Sequence, residues 1–337
     1  MSLAPLTAEH AHHLQSLWVI IATARGALPL SALGRRTWCA FSEHALGLGG
    51  VDAPEDGSRE DQPSQQGRAA ESIEPYLAHL VLAALVDVPL DARRVATLDD
   101  VLTQCGLRHP AIADLAAFAR GRRLGPRLRM TNRILAQRFQ TTIMLSIWGT
   151  LMLRVRQQAT VHRYEALRGL PEGTFGAEIV RFYSDNRVPF PDARAGFPAS
   201  LASVHDALHV LSGYDTTHAG ELLVSAFESG ASSTRWVDYW AGGMLHCQLG
   251  IGLEPGAAAA TGCFAPEEFY SAFARGAAAP TEIIDPRWDF WPLTKLPLPQ
   301  ARATLGIGGR GHVVSHADLW CGDSGTPYDR STPAAPT

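Results

Sequence analysis

Apolar side chains recur every three or four residues through most of this chain, and this spacing constrains the fold more than any other feature. Residues at this spacing share one face of an α-helix, as Leu14, Leu17, Trp18, Ile21 and Ala22 do in the helical pattern of the N-terminal segment. No alternating run of β-branched residues is long enough to predict a sheet. The sequence therefore predicts an all-α fold, arranged as a helical bundle.

Composition excludes several classes of protein. The 337 residues are 46% apolar with a net charge of −4, which predicts a buried core in one large or two unequal domains. Five scattered cysteines without a Cys-x-x-Cys pair argue against a disulfide framework or a zinc ribbon and favour a reducing cytoplasm. Met1 to His13 lacks the pattern of a signal peptide. The longest apolar run, Ile143 to Leu153, is shorter than the roughly 20 residues that span a membrane.

Helical patterns and polar runs divide the chain into three predicted parts. An N-terminal helical region covers residues 1–125 and contains a disordered loop at 51–67, which is rich in proline, acidic residues, serine and glutamine. A second helical domain covers residues 126–307. Glycine, serine and proline dominate residues 308–337, which we expect to form a flexible tail.

A His-Asp-x-x-His sequence, followed after eleven residues by a glutamate, carries the strongest chemical signal. Its histidines, His205 and His209, lie four residues apart and therefore share one face of a helix. Gly213 is predicted to end that helix, and Asp215 to begin the next one as its N-cap. Folding the second helix back on the first brings Glu221 opposite both imidazoles. The spacing predicts a helix-turn-helix hairpin that binds a metal.

Two imidazoles with one or two carboxylates are a typical ligand set for a divalent metal ion with open coordination positions. We expect His205, His209 and Glu221 to bind the ion, with Asp206 as a fourth ligand or as a group that orients the others. Zinc is the first choice, and iron, manganese and magnesium are the alternatives.

Three observations favour other interpretations of these residues. A His-x-x-x-His pair also occurs by chance, as at His312 and His316 in the predicted tail. The pattern Ser203-x-x-Asp206 is typical of a capping box, in which Asp206 would bond to a backbone N–H instead of a metal. His218 is a competing ligand, because it precedes the glutamate by three residues and lies on roughly the same face.

The residues around this motif resemble the Coq4 family, which serves ubiquinone biosynthesis. The resemblance is carried by the motif with its eleven-residue spacing and by its immediate neighbours. Upstream, the Leu-Pro-Glu-Gly-Thr-Phe-Gly sequence at residues 170–176 is similar to the family's Leu-Pro-x-Gly-Thr-Leu-Gly element. Downstream, Trp288 to Ile307 is similar to the family's C-terminal end. The resemblance covers roughly residues 168–250 and 287–307.

The resemblance implies a helical protein that binds a divalent metal through this motif and acts on prenylated aromatic intermediates at a membrane. It implies replacement of the C1 carboxyl of the ubiquinone head-group precursor by a hydroxyl, and a role in organising other enzymes of the pathway. We therefore expect a metal-dependent oxidative decarboxylase or lyase in which His205, Asp206, His209 and Glu221 are the catalytic and metal-binding residues. A non-catalytic lipid-binding scaffold and a metallohydrolase are the alternatives.

A basic stretch precedes the motif, because no acidic residue lies between Asp114 and Glu165. Its arginines predict contacts with anionic lipid headgroups, made by Arg120, Arg122, Arg123, Arg127 and Arg129. The alternative is a solvated helix face whose arginines pair with acids elsewhere. Nucleic acid is not an expected partner, since the chain is acidic overall and lacks a nucleic-acid-binding motif. We expect a homo-oligomer in the cytoplasm, peripheral to the membrane.

Two further sets of residues near the motif have open roles. Tyr183 and Asp185 precede the motif and are candidates for hydrogen bonds to its polar residues. The other set follows the motif at helical spacing and consists of Trp236, Tyr239, Trp240 and Met244. These residues could form the wall of an apolar channel that takes an isoprenoid tail or an aromatic ring. The alternative is ordinary packing in the core.

Overall fold

Helices form nearly all of the regular structure in the part of the chain that the computed structural model describes. That part comprises residues 6–54, 73–139, 158–194, 196–232, 236–253 and 258–308. Within it there is no β-strand, and extended residues meet at two isolated bridges. The predicted all-α fold is confirmed.

The helices follow one another through short connections. The α-helices in chain order are α1 (Ala8–Ala22), α2 (Ala32–His44), α3 (Leu77–Leu85), α4 (Ala92–Gln104), α5 (Pro110–Ala119), α6 (Leu124–Phe139), α7 (Gln158–Ala166), α8 (Phe175–Asp185), α9 (Ala199–Ser212), α10 (His218–Ala231), α11 (Val237–Gly243), α12 (Pro266–Ala277) and α13 (Leu298–Thr304). A π-helix (Met244–Gln248) continues directly from α11. The 3₁₀-helices are Glu74–Tyr76, Leu167–Gly169, Thr281–Ile284 and Trp291–Lys295.

The helical pattern predicted for the N-terminal segment corresponds to two helices, α1 and α2. Thr7 caps α1 and Ser31 caps α2, each by accepting a hydrogen bond from a backbone N–H of the first turn. Between them the chain reverses at Ala24 and Arg25, which both adopt left-handed backbone angles. The apolar face predicted for α1 is confirmed, because all five of its residues are buried.

Several predictions fall outside the described residues. These are most of the loop at 51–67, the tail beyond residue 308 with its two histidines, and the apolar run Ile143 to Leu153. The division of the chain at residue 125 stays a prediction, and the apolar core itself continues across it, from Ala11 to Ile307.

Glycines allow α10 and α12 to pack against each other at backbone distance. A Cβ atom on Gly230 would overlap the carbonyl oxygen of Phe273, and one on Gly276 would overlap the carbonyl oxygen of Phe227. Any larger residue at either position would therefore force the helices apart. This close packing fixes the position of α10, which carries Glu221.

The N-terminal helices pack around this pair. α2 packs against α12, and α3 packs against both α1 and α11. Trp18 of α1, Leu80 of α3 and Trp240 of α11 are fully buried in the same core. Among the described helices, none combines the length and apolarity needed to cross a bilayer.

Candidate metal centre

A sharp turn between α9 and α10 places the motif residues on facing helices. Gly213 ends α9 with a φ of 84°, a left-handed conformation that glycine adopts without steric cost. The prediction that Asp215 caps α10 is wrong, because the N-cap is Thr217, whose side chain accepts from the Gly220 backbone N–H. Asp215 instead accepts hydrogen bonds from the backbone N–H and hydroxyl of Thr217, which tightens the turn. A Cβ atom on Gly220 would overlap the Asp215 carbonyl, so only glycine allows this turn to lie so close to α10.

Three of the four predicted ligands meet across this hairpin. The Nε2 atoms of His205 and His209 lie 3.2 Å apart. One oxygen of Glu221 lies 3.3 Å from the His205 Nε2, and the other lies 3.4 Å from the His209 Nε2. Each of the three residues offers one ligand atom, and these three atoms lie within 4.8 Å of one another. They are therefore close enough to bind one metal ion.

The other nitrogen of each imidazole is fixed by a hydrogen bond. The Nδ1 of His209 lies 3.1 Å from the backbone carbonyl oxygen of Tyr214, and the Nδ1 of His205 lies 3.1 Å from a carboxylate oxygen of Glu228. Since a carbonyl or carboxylate oxygen can only accept, each Nδ1 carries the proton. In the neutral form of each imidazole the Nε2 atom then keeps a lone pair, and both Nε2 atoms face the Glu221 carboxylate. Metal-binding histidines in proteins usually have this arrangement.

Electrostatics favour a positive charge between these groups. Burial lowers the pKa of His205, but the carboxylates of Glu228 and Glu221 outweigh burial and raise that pKa well above its ordinary value. Burial raises the pKa of Glu221, but the imidazoles of His209 and His205 outweigh it and hold that pKa well below its ordinary value. A proton on His205 supplies this positive charge in the chain alone, and a divalent metal ion fits the same three donors in its place.

Solvent can reach the centre from one side. The side chain of Glu221 is 40% exposed and that of His205 is 22% exposed, whereas that of His209 is 1% exposed. His209 is held from behind by the ring of Phe182, which stacks on it at 5.4 Å between ring centroids. The glutamate edge of the centre is therefore the side from which a substrate could approach.

Glu228 is a site residue that the sequence pattern did not identify. It is completely buried on α10, and its second carboxylate oxygen accepts a hydrogen bond of 2.9 Å from the hydroxyl of Tyr239 on α11. The available signal was its spacing, because a residue seven positions after Glu221 lies on nearly the same helix face. A carboxylate in an otherwise uncharged part of α10 was a second signal.

Asp206 lies next to His205 in the chain but bonds away from the three ligands. Its carboxylate accepts a hydrogen bond of 2.5 Å from the Tyr183 hydroxyl, and burial raises its pKa. This bond confirms Tyr183 as a partner of the motif, while Asp185 is exposed at the end of α8. The capping-box interpretation is wrong, because Ser203 lies inside α9 and not at its start. A role for Asp206 as a metal ligand stays a prediction.

Comparison with curated proteins identifies relatives over part of the chain, each called a ubiquinone biosynthesis protein COQ4 homolog, mitochondrial. The Danio rerio protein is 34% identical over 116 residues, covering 31% of this chain and 39% of the relative. The Xenopus tropicalis protein is 34% identical over 90 residues, covering 23% and 32%. The Homo sapiens protein is 40% identical over 76 residues, covering 19% and 28%. The chain is related to the Coq4 family.

This relationship covers a limited part of each protein. The chain spans between 28% and 39% of the length of these curated relatives. No protein-family model matches the chain, and no solved structure matches it.

The two outer segments that resemble the Coq4 family contact each other and support α9. Backbone N–H groups of Phe175 and Leu298 donate to the carbonyls of Leu296 and Gly173, which joins the start of α8 to the start of α13. Arg302 of α13 then donates to carbonyls in the last turn of α9. These segments therefore hold the helix that carries both histidines.

The remaining candidates near the motif are placed outside the cluster of donors. The ring of His218 bonds to the carbonyl oxygen of Ala258 and packs against the ring of His246, so it is not one of the three clustered ligands. The aromatic set divides by role. Tyr239 bonds to Glu228, whereas the others are packed in the core as the alternative interpretation predicted: Trp236, Trp240 and Met244.

The arginines of the basic stretch also divide into two groups. Arg129 and Arg133 both form ion pairs with Asp114, which is 1% exposed, and Arg127 donates to the carbonyl of Leu253. These contacts confirm the pairing alternative for Arg129 and Arg133. The second group is exposed to solvent and consists of Arg120, Arg122 and Arg123.

Proposed function

We propose that this chain is a metal-dependent enzyme of ubiquinone biosynthesis that acts on a hydroxybenzoate-type ring, prenylated or not, and replaces its C1 carboxyl by a hydroxyl. The observation that carries the proposal is the convergence of two imidazole lone pairs and one carboxylate, at 3.2 to 3.4 Å, on a relative of the Coq4 family. The names of the relatives support the pathway, and the donor set supports the metal.

His205, His209 and Glu221 would hold the metal, and the two Nδ1 hydrogen bonds would keep both imidazoles in the form that can bind it. A divalent cation held there would withdraw electron density from the carboxylate and phenolate of the substrate and stabilise the charge that develops as carbon dioxide leaves. The half-exposed edge at Glu221 provides the approach for the substrate carboxylate. Asp206, held by Tyr183, would orient the neighbouring His205 or hold a proton near the ring.

The overall conversion is an oxidation and needs an oxidant. With dioxygen, one oxygen atom enters the ring as the hydroxyl and the carboxyl leaves as carbon dioxide. The second oxygen atom becomes water with two electrons and two protons from a reductant. Zinc cannot change its oxidation state, so iron, or a substrate that reacts with dioxygen by itself, would be required for the hydroxylation. Zinc, manganese and magnesium remain the choices for decarboxylation alone.

Elemental analysis of untagged protein, followed by turnover of a truncated para-hydroxybenzoate substrate, tests the proposal. We expect one divalent metal per chain and a product that has lost carbon dioxide, with the hydroxylated ring formed when iron, dioxygen and a reductant are supplied. The matched control is Glu221→Ala. Bound metal without turnover would instead favour the lipid-binding scaffold, and turnover of a phosphoester or peptide would favour the metallohydrolase. Light scattering of the same preparation tests the predicted homo-oligomer.

We also propose that the start of α6 docks on anionic membranes without inserting a helix. Leu124 and Leu128 lie one helical turn apart and are 77% and 58% exposed, beside the exposed Arg120, Arg122 and Arg123. Exposed apolar and basic residues together are typical of surfaces that bind the membrane interface.

Liposome co-sedimentation at low and high salt tests this docking. Binding should require anionic lipid, weaken with salt, and be lost when Arg120, Arg122 and Arg123 are changed to Glu. A matched reversal of three exposed arginines on other loops, Arg25, Arg187 and Arg194, should retain binding. Equal binding to neutral vesicles, or equal loss in both triple variants, would contradict a specific surface on α6.

A further inference from the structure

A fully buried carboxylate lies directly behind one of the candidate metal ligands. Glu228 is 0% exposed, and its two oxygens bond to different helices: one to the His205 Nδ1 at 3.1 Å, the other to the Tyr239 hydroxyl at 2.9 Å. Removing a carboxylate from water is costly unless hydrogen bonds or opposite charges compensate. The hydrogen bonds to His205 and Tyr239 provide this compensation, so the burial of Glu228 depends on the imidazole of a candidate ligand.

We propose that Glu228 is a positioning residue of the metal centre, which holds His205 as the Nδ1–H tautomer and increases the affinity of the site for a divalent cation. This inference rests on the proposed metal-binding function and extends it to a residue outside the motif. Glu228 would act through His205 and would not touch the metal or the substrate.

The two imidazoles are held by groups of different charge, so the two ligands are expected to differ in strength. His209 donates to the neutral carbonyl of Tyr214, whereas His205 donates to a carboxylate. A carboxylate that accepts from Nδ1 makes the Nε2 of the same imidazole a better electron donor than a carbonyl in that position does. Either partner also fixes the orientation of the ring. His205 is therefore expected to be the stronger of the two imidazole ligands, and the one that depends on a buried acid.

Tyr239 restrains the carboxylate from the other side. Its hydroxyl donates to the oxygen of Glu228 that does not contact His205, and its ring packs against Trp236 at 5.0 Å between centroids. Because both oxygens are engaged, the carboxylate cannot rotate without losing a hydrogen bond. The line from Tyr239 through Glu228 to His205 thus connects α11 to α10 and α9.

The test compares Glu228→Gln with Asp114→Asn in the full chain. Both changes remove one buried carboxylate charge while keeping its shape, but Asp114 pairs with arginines and contacts no candidate ligand. Affinities for Zn²⁺ and Co²⁺ are measured by competition with a chromophoric chelator, together with the absorption spectrum of the Co²⁺ form. We expect Glu228→Gln to bind both ions roughly 10- to 100-fold more weakly, with Co²⁺ bands of unchanged intensity because the number of ligands is unchanged. Asp114→Asn should bind as the wild type does.

Each outcome decides the inference. Wild-type affinity in Glu228→Gln would make Glu228 a structural residue only. A changed intensity of the Co²⁺ bands, which reports the number of ligands, would make it a ligand. Either result overturns the positioning role. Failure of the wild-type chain to bind either ion would instead refute the proposed metal function itself, and this inference with it. If Glu228→Gln does not fold, Tyr239→Phe provides a second test. It removes the hydrogen bond from the Tyr239 hydroxyl to Glu228 and leaves the contact between Glu228 and His205 in place. We expect a weaker but measurable loss of affinity in that variant, and wild-type affinity there would overturn the inference.

Discussion

The metal centre and the arginine cluster on α6 both contain carboxylates, but they neutralise them differently. Asp114 is bonded by Arg129 and Arg133, and Arg133 also pairs with Asp238, whose side chain is 7% exposed. In the hairpin, Glu221 faces two imidazoles, and no arginine or lysine of the described residues forms an ion pair with it. One cluster uses cations that the chain supplies, and the other uses groups that can be neutral.

This difference separates a structural cluster from a binding site. A guanidinium is always charged in a protein, so the ion pairs of Asp114 are complete in the folded chain. A neutral imidazole with its Nδ1–H engaged presents a lone pair at Nε2, so the three donors of the hairpin need either a proton or a metal ion among them. We therefore expect changes in the arginine cluster to alter stability, and changes in the hairpin to alter metal binding.

The largest expected effect is that of Glu221→Ala. It removes the only negative donor among the three clustered ligands. Replacing a residue that only supports a ligand already weakens metal binding about tenfold, so bound metal should fall by at least about tenfold here. Turnover should be abolished, while circular dichroism stays near that of the wild type. Elemental analysis checks the metal, and full occupancy in this variant would remove Glu221 from the site.

Asp114→Asn should have the opposite profile. Losing a buried partner of two arginines is expected to lower the free energy of unfolding by about 3 kcal/mol, the low end of the range for buried pairs because Arg129 remains half-exposed. Metal content should not change. Urea denaturation measures the first quantity, and a loss of metal without a loss of stability would reverse the two roles that the comparison assigns.

His79 is a buried histidine that has no carboxylate among its described contacts, which are aromatic rings and the Tyr270 hydroxyl. Burial lowers its pKa to about 3, the opposite direction from His205. The unfolded chain binds a proton at this residue below pH 6.5 and the folded chain does not, so its contribution to stability is full above pH 6.5 and is lost as the pH falls toward 3.

The expected slope from this one residue is about 1.4 kcal/mol of unfolding free energy per pH unit. His79→Phe should reduce the slope by that amount. Urea denaturation of both proteins with a metal chelator, between pH 7 and about pH 5, measures it. Equal slopes in the two proteins would mean that His79 is protonated in the folded state.

The smallest expected effect is that of Asp206→Asn. The amide oxygen can still accept from the Tyr183 hydroxyl, so we expect a loss of about 1 kcal/mol or less in unfolding free energy and no loss of metal. Tyr183→Phe is the matched control, since it removes the same hydrogen bond from the other side. If Asp206→Asn loses metal and Tyr183→Phe does not, Asp206 is a fourth ligand.

Local patterns in the sequence predicted the elements that depend on neighbours in the chain. The spacing of apolar residues predicted α1 and its buried face. The spacing of His205, His209 and Glu221 was sufficient to place them together, because a glycine turn and two helices of fixed pitch determine which residues face each other. The cap of α10 was misplaced by two residues, since Asp215 and Thr217 are both good caps and only the turn geometry selects between them.

The helical fold and the three clustered donors can be predicted from the sequence, because both follow from helical periodicity and one short turn. Helix packing is needed to learn which buried acids are neutralised by arginine, and which carboxylate lies behind His205. Asp114 finds Arg133 between neighbouring helices, and Glu228 finds Tyr239 across two helices; neither pairing follows from spacing along one helix. Such pairings depend on how the helices pack, and that packing is fixed by contacts such as Gly230 against the Phe273 carbonyl, which sequence periodicity does not encode.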